Sequence, residues 1–169
     1  GIVFADAITT VSSTYAEEIK MPFYGEGLDG LMRARADSLR GIVNGIDYDE
    51  FNPETDPHIF QNYNAKNFRK EKAKNKKALQ DELGLPVDEK KFMIGIVSRL
   101  TDQKGLDLIQ CVMDELCSED LQLVVLGTGD ERYENMFRHY DWKYHDRVSA
   151  QIYYSEPLYH KICAACDAF

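Results

Sequence analysis

From residue 92 onward, short apolar runs alternate with amphipathic stretches, and this alternation constrains the fold more than any other feature of the sequence. The runs at 92–97 and 121–126 are rich in β-branched residues and predict buried strands. Between them, apolar residues from Ile109 to Leu116 recur at the spacing of one helix face. Strands that alternate with helices predict right-handed crossovers and a Rossmann-like α/β fold, a parallel sheet with helices on both faces.

The same pattern extends over most of the chain. Further strands are predicted at 7–11, 40–43 and 148–152, with the start of another at Ala168 and Phe169. Helices are predicted at 15–20, 28–36 and 70–83, from Gly105, around 133–140 and after Ser155, which can cap the last one. Residues 47–66 contain Asp, Asn and Pro without a period and predict a long surface loop.

Charge and chain ends limit the classes of protein. The net charge of −9 over 169 residues argues against a nucleic-acid groove, and no apolar run is long enough to cross a bilayer. Seven basic residues and one acidic residue lie between 66 and 77, a run that is typical of the solvated face of a helix. The chain begins at Gly1 and stops within an apolar run at Phe169, which predicts a piece of a longer protein.

The thiols and imidazoles do not predict a metal site. The four cysteines are interpreted as reduced, small buried thiols, which predicts a cytosolic protein: Cys111, Cys117, Cys163 and Cys166. The last two have the spacing of a metal or redox motif, but they end a predicted helix instead of beginning one. The four histidines match no metal-ligand spacing.

Ligands of parallel α/β sheets bind beyond the carboxyl ends of the strands, which directs attention to three loops. The first loop, residues 98–105, carries Arg99 and Lys104 between a buried strand and a helix start. Two cations, free backbone amides and a helix dipole together suit a diphosphate. From the residues alone, two exposed cations in surface ion pairs are an equally good interpretation.

The other two loops are weaker signals. Gly127, Thr128 and Gly129 follow a strand, where two glycines either let the backbone approach a ligand or make a tight turn. Tyr154 follows the next strand beside a helix start, where its ring can stack on a base or pack on the protein. No Ser–His–Asp order, HExxH motif or Walker loop accompanies them.

Several segments, in order along the chain, resemble bacterial glycogen synthases and plant starch synthases, which are retaining glucosyltransferases of the GT-B fold. The matching segments are spread along most of the chain: 5–12, 24–31, 41–47, 52–53, 98–105, 126–130, 154–156 and 165–168. The resemblance implies two Rossmann-like domains that face a cleft. Residues 1–22 would be the tail of the N-terminal domain, 23–40 the connection, and 41–169 part of the C-terminal domain that binds the nucleotide sugar.

The resemblance also implies roles for single residues. Arg99 and Lys104 would bind the diphosphate of ADP-glucose and act as catalytic cations, because charge grows on this leaving group in the transition state. Tyr154 would stack on the adenine, the loop from Gly127 through Thr128 to Gly129 would line the nucleotide pocket, and Asn44 would reach the donor. The implied reaction transfers glucose to the 4-hydroxyl at the non-reducing end of an α-1,4-glucan, with retention and without a metal or other cofactor. The implied location is the cytoplasm, or a plastid for a plant or algal protein.

Two family motifs are missing from these residues. They are the glycine-rich KTGGL loop and the EPCG segment with its acidic residue, so the 169 residues alone are predicted to be inactive. Phe51 also replaces the tryptophan that is common before Asn-Pro. Two alternatives stay open: a GT-B glycosyltransferase that uses UDP-glucose, which offers the same diphosphate, and a non-catalytic nucleotide-binding domain.

Overall fold

A computed structural model describes all residues from Gly1 to Phe169. The chain forms two compact units, residues 1–48 and residues 49–169. The family-based assignment of residues 1–22, 23–40 and 41–169 to domains stays a prediction.

The first unit is built on a two-stranded parallel sheet. Its elements are β1 (Ile8–Thr10), α1 (Ser13–Glu18), α2 (Asp29–Ala34) and β2 (Leu39–Gly41), with 3-10 turns at Ile2–Phe4 and Ala36–Ser38. The first helix begins at Ser12, whose hydroxyl accepts a hydrogen bond from the Tyr15 N–H and so satisfies a free helix donor. The Arg35 guanidinium donates to backbone carbonyls of the first 3-10 turn and of Ala5, which fastens the N-terminal residues to this unit.

The second unit contains a three-stranded parallel sheet in the order β3-β4-β5. Its elements are α3 (Phe68–Glu82), β3 (Phe92–Val97), α4 (Leu106–Ser118), β4 (Leu121–Leu126), α5 (Glu131–Lys143), β5 (Val148–Gln151) and α6 (Glu156–Ala165). Phe92 lies opposite Leu121, and Leu123 lies opposite Val148. Ala168 pairs in parallel with Ile94 at the free side of β3, as expected for the start of a further strand.

Two hydrophobic cores cover the two faces of this sheet. Alternate residues of the central strand enter opposite cores, because successive side chains of a strand point to opposite faces. Leu123 and Val125 pack with Met113 of α4 and Phe137 of α5. Val124 and Leu126 pack with residues of α3 and α6 on the other face, including Leu79 and Ile162. A Rossmann-like parallel sheet with helices on both faces is therefore confirmed.

The prediction that the basic run is a solvated helix face is wrong at Lys76. This side chain is buried, and its ammonium lies 2.5 Å from the Asp167 carboxylate and 3.0 Å from the Lys91 carbonyl. The run lies on α3, which packs against α6, so one side of the helix turns inward whatever its charge. A buried ammonium is tolerated there because it is paired and hydrogen-bonded.

The prediction of buried thiols is wrong for two of the four cysteines. All four are free, but Cys111 and Cys163 are exposed, whereas Cys117 and Cys166 are buried. Burial raises the pKa of Cys166 to about 12, which keeps this thiol protonated and unreactive at neutral pH.

None of the helices is both long enough and apolar enough to pass through a membrane.

Candidate functional site

A cavity of about 250 Å³ opens at the carboxyl ends of the three strands of the second unit. It is formed by the ends of β3 and β4, the connection from β5 to α6, and one side chain from the first turn of α6. Its lining residues are Val97, Ser98, Arg99, Leu126, Gly127, Thr128, Tyr153, Tyr154, Ser155 and Tyr159. The three loops that the sequence indicated therefore meet at one place, as parallel topology requires.

Main-chain hydrogen bonds join the first two loops. The Leu100 N–H donates to the Thr128 carbonyl at 2.9 Å, and the Asp130 N–H donates to the Leu100 carbonyl at 2.8 Å. Gly127 and Gly129 make this contact possible because they have no Cβ. A Cβ at Gly127 would overlap the Ser98 carbonyl oxygen, and a Cβ at Gly129 would overlap the backbone of Leu100. The glycines thus allow two backbones to pack closely beside the cavity.

The loop after β3 is also tied to α5. It forms a 3-10 turn at Asp102–Lys104 and reaches Gly105, whose φ of 69° starts α4 in a left-handed conformation. The Asp102 carboxylate accepts hydrogen bonds from the Tyr133 hydroxyl and the Arg132 guanidinium. These bonds hold the pKa of the Asp102 carboxyl below its ordinary value, and the bond from Tyr133 has the largest effect. The carboxylate therefore stays ionised and fixes the middle of the loop.

Arg99 and Lys104 are both exposed, and neither side chain makes an ion pair or hydrogen bond within the protein. The interpretation as surface ion pairs is therefore wrong for both. Arg99 lines the cavity, whereas Lys104 lies on the 3-10 turn and is not one of the lining residues. The structure thus leaves two unpaired cations on the loop that borders the cavity, one of them at its wall.

Tyrosine rings also line the cavity. Tyr154 is 83% exposed and Tyr153 is 47% exposed, so each can present a ring face to a ligand. Ser155 accepts a hydrogen bond from the Leu158 N–H at 3.3 Å and so starts α6 directly behind them. Tyr159 follows one turn later and also faces the cavity.

The structure brings together most of the predicted site residues. Arg99, Gly127, Thr128 and Tyr154 line the cavity. Gly129 lies just outside it, where its N–H donates to the Glu134 carboxylate at 3.0 Å and lowers the pKa of that carboxyl. Asn44 is exposed in the extended segment after β2, in the first unit, and its role stays a prediction.

Sequence reasoning missed three lining side chains, those of Ser98, Tyr153 and Tyr159. Ser98 and Tyr153 adjoin predicted site residues, so their position at strand ends could have identified them. Tyr159 follows the Ser155 cap by four residues, and the helix period places it over the same turn.

The cavity combines apolar walls, three tyrosine rings and one unpaired guanidinium. This arrangement suits a ligand with a flat apolar group and an anionic group, because aromatic faces stack on bases and a guanidinium binds phosphate oxygens. None of the lining residues is His, Cys, Asp or Glu, so the cavity offers no ligand set for a metal ion.

Comparison with solved structures defines the class of protein. The catalytic domain of starch synthase IV from Arabidopsis thaliana, bound to ADP and acarbose, matches with a TM-score of 0.90 and 35% identity. That match covers 98% of this chain and 34% of the other. The Anabaena protein HepE, in complex with UDP and glucose, matches with a TM-score of 0.57 and 18% identity over 98% of this chain and 37% of its own. The fold is that of GT-B glycosyltransferases.

Sequence comparison finds similarity to starch synthases and glycogen synthases. A profile of the starch synthase catalytic domain matches residues 1–34. A glycogen synthase from Lachnospira eligens is 76% identical over all 169 residues, which cover 35% of that protein. Over its whole length the chain is similar to glycogen synthases and to a starch synthase, and it spans about a third of the length of the curated relatives it matches.

Proposed function

We propose that this chain supplies the donor-binding part of a glycogen synthase that transfers glucose from ADP-glucose to the non-reducing end of an α-1,4-glucan with retention. The observation that carries the proposal is the cavity at the strand ends, which both Arg99 and Tyr154 line. Starch synthase IV, with the same fold at 35% identity, was solved with ADP and acarbose. The matching relatives are named glycogen synthase.

In this proposal the two unpaired cations, Arg99 and Lys104, stabilise the transition state. When the glycosidic bond to the diphosphate breaks, negative charge increases on the leaving group. Arg99 and Lys104, held on a loop that is tied down through Asp102, would then interact more strongly with the transition state than with the bound donor. No metal or other cofactor is invoked for this step.

The remaining residues would select and orient the nucleotide. The Tyr154 ring would stack on the adenine, and the backbone from Gly127 through Thr128 to Gly129 would form one wall of the nucleotide pocket. Asn44 would contact the donor sugar. A cytoplasmic location is part of the proposal and rests on the four free cysteines.

The alternative with UDP-glucose as donor has one observation in its favour. HepE, which shares the fold, was solved with UDP and glucose. The test is glucan synthesis by a full-length synthase that carries this sequence, with ADP-glucose and UDP-glucose compared side by side. Higher kcat/KM with ADP-glucose is expected, and a preference for UDP-glucose would favour the alternative.

Replacement of the cations tests the diphosphate assignment. Arg99→Ala and Lys104→Ala should each lower kcat by about a hundredfold or more, as loss of a charge-stabilising donor does, while thermal stability stays unchanged. Lys90→Ala is the matched control, since Lys90 is an exposed cation of the same unit outside the cavity. Full activity of either cation variant would contradict the assignment.

A glucan synthesis assay of the 169 residues alone tests whether they are inactive, and the same assay of a full-length protein separates enzyme from binding module. We expect ADP binding without glucosyl transfer. If a full-length protein with this sequence binds ADP but extends no glucan with either donor, the non-catalytic alternative is correct.

A further inference from the structure

Three side chains from distant parts of the second unit meet beside the start of α6. Glu156 and His160 lie one helical turn apart on this helix, and Glu50 approaches from the loop that follows the first unit. One imidazole nitrogen and two carboxylate oxygens lie within 4.8 Å of one another. We propose that Glu50, Glu156 and His160 bind a divalent metal ion of the zinc class.

The His160 ring is prepared for a ligand. The residue is 4% exposed, and its Nδ1 lies 2.6 Å from the Asp56 carboxylate. Because a carboxylate can only accept, Nδ1 carries the hydrogen, which leaves Nε2 as the ring nitrogen that can bind a metal ion. That Nε2 is buried and has no hydrogen-bond partner in the protein. A buried polar atom without a partner is costly, so a ligand bound at Nε2 would be stabilising.

The contact with Asp56 is also the usual support of a metal-binding histidine. In such sites the second ring nitrogen donates to a carboxylate, which fixes the tautomer and the ring orientation and raises the basicity of the ligating nitrogen. Here the ring is held further by Phe51, stacked on it at 5.0 Å, and by the edge of His58 at 5.1 Å. The direction of the Nε2 lone pair is therefore fixed by packing.

The two carboxylates can complete the coordination. Both Glu50 and Glu156 are exposed, so their side chains can rotate towards the imidazole without disturbing the core. Zn–N and Zn–O bonds of about 2.0–2.2 Å place neighbouring ligand atoms roughly 3.5 Å apart, a small adjustment from the separation in the structure. An imidazole with two carboxylates suits zinc and related transition metals more than Mg²⁺ or Ca²⁺, which prefer oxygen ligands alone.

The ion would join two segments that are separated by about a hundred residues. Glu156 lies two residues after Tyr154, so metal binding would fix the first turn of α6 directly behind the cavity. None of the three ligands lines that cavity, and the site is therefore separate from the proposed nucleotide site.

The test is calorimetric titration of the metal-free 169-residue chain with zinc. We expect one bound ion, and at least a tenfold weaker Kd in both Glu50→Gln and Glu156→Gln. Asp56→Asn should weaken binding by about 10–100-fold through the ring orientation. Glu54→Gln is the matched control, because it removes an exposed carboxylate from the same loop without touching the three ligands, and its Kd should equal that of the unmodified chain.

Cobalt(II) in place of zinc distinguishes this site from a thiolate site. We expect a visible spectrum without a thiolate charge-transfer band, unchanged in Cys163→Ser. No zinc binding, or binding that persists in both glutamate variants, would overturn the proposal. So would binding that is lost with Cys163 alone. Because both glutamates are exposed, their variants should fold, and circular dichroism checks this independently of metal binding.

Discussion

Gly127 shows how closely the backbone is packed at the candidate site. Its φ of 153° lies in the region that favours glycine, and its missing side chain leaves room for the Ser98 carbonyl. Gly84 also has a positive φ, 70°, but a Cβ there would meet no other atom. The two positions therefore separate the effect of backbone conformation from the effect of crowding.

Gly127→Ala should destabilise the protein by about 3 kcal/mol, since it adds overpacking to backbone strain. Gly84→Ala should cost only about 1 kcal/mol, from strain alone. Urea denaturation of the two variants measures the difference. Equal losses would show that the 98–100 and 127–129 loops can separate without cost.

Asp102 makes one part of the site sensitive to acid. The Tyr133 hydroxyl and the Arg132 guanidinium hold the pKa of this carboxyl below its ordinary value of about 4. A lowered folded-state pKa means that the stabilisation is present above pH 4 and is lost as the pH falls through the lowered value. Tyr133→Phe removes the main bond and keeps the ring.

The difference in Tm between the unmodified protein and Tyr133→Phe should stay constant from pH 7 to about pH 5 and shrink below about pH 4. When Asp102→Asn is already present, the Tm difference caused by Tyr133→Phe should not change with pH. A Tm difference that does not change down to pH 2 would contradict the role of the ionised carboxylate.

Individual residues of the site could be predicted where the residue type suited a ligand and the residue followed a strand of the parallel sheet. Arg99 and Tyr154 follow strands of a parallel sheet, so residue type and position along the chain together placed them at the cavity. The pair of Asp56 and His160 was not predictable. These residues are 104 positions apart, and no pattern in sequence records that α6 packs on the loop before α3.

At the scale of elements, α3 shows how a charged helix is anchored. Its inward side carries Lys76, whose side chain is only 7% exposed and whose ammonium pairs with the Asp167 carboxylate. The next residue, Ala168, pairs with Ile94 of β3. The Asp167 carboxylate also accepts the Met93 N–H at 2.8 Å. One ion pair thus connects α3, β3 and the last residues of the chain.

Lys76→Met should therefore destabilise the protein by about 2–3 kcal/mol, less than a fully buried pair because Asp167 is 32% exposed. Lys77→Met is the matched control: its pair with Glu89 is about half exposed on both sides, so its loss should have a much smaller effect on stability. Guanidinium denaturation at pH 7 compares the two. Equal effects would mean that burial of the Lys76 pair does not matter.

Most elements were predictable to within a few residues because their signals are local. Ser155 caps α6 as expected, and the apolar runs at 92–97 and 121–126 are strands with those bounds. The inward side of α3 was misjudged because its buried positions include Asn75, Lys76 and Gln80, which hydropathy assigns to solvent. Only tertiary partners make their burial favourable.

At the scale of the whole molecule, the two units differ in how much apolar surface they bury. The first unit buries only Ala16, Met32 and Leu39 among its apolar residues, and it exposes Phe4 and Phe23 almost completely. The second unit has two cores on a three-stranded sheet. A two-stranded sheet with a small core is marginally stable in water.

Amide hydrogen exchange should therefore be much faster in β1 and β2 than in β4, whose last five residues are buried. We expect protection of β4 amides to approach the global free energy of unfolding. Equal protection in both sheets would show that the chain unfolds as one cooperative unit.

The close approach of the 98–100 and 127–129 backbones limits how the cavity can be reshaped by substitution. One wall of the cavity consists of main chain that tolerates no added side chain, so point substitutions there damage the wall instead of reshaping it. A change of ligand preference at this cavity has to work through the side chains of Arg99, Thr128, Tyr153 and Tyr154, or replace both loops together.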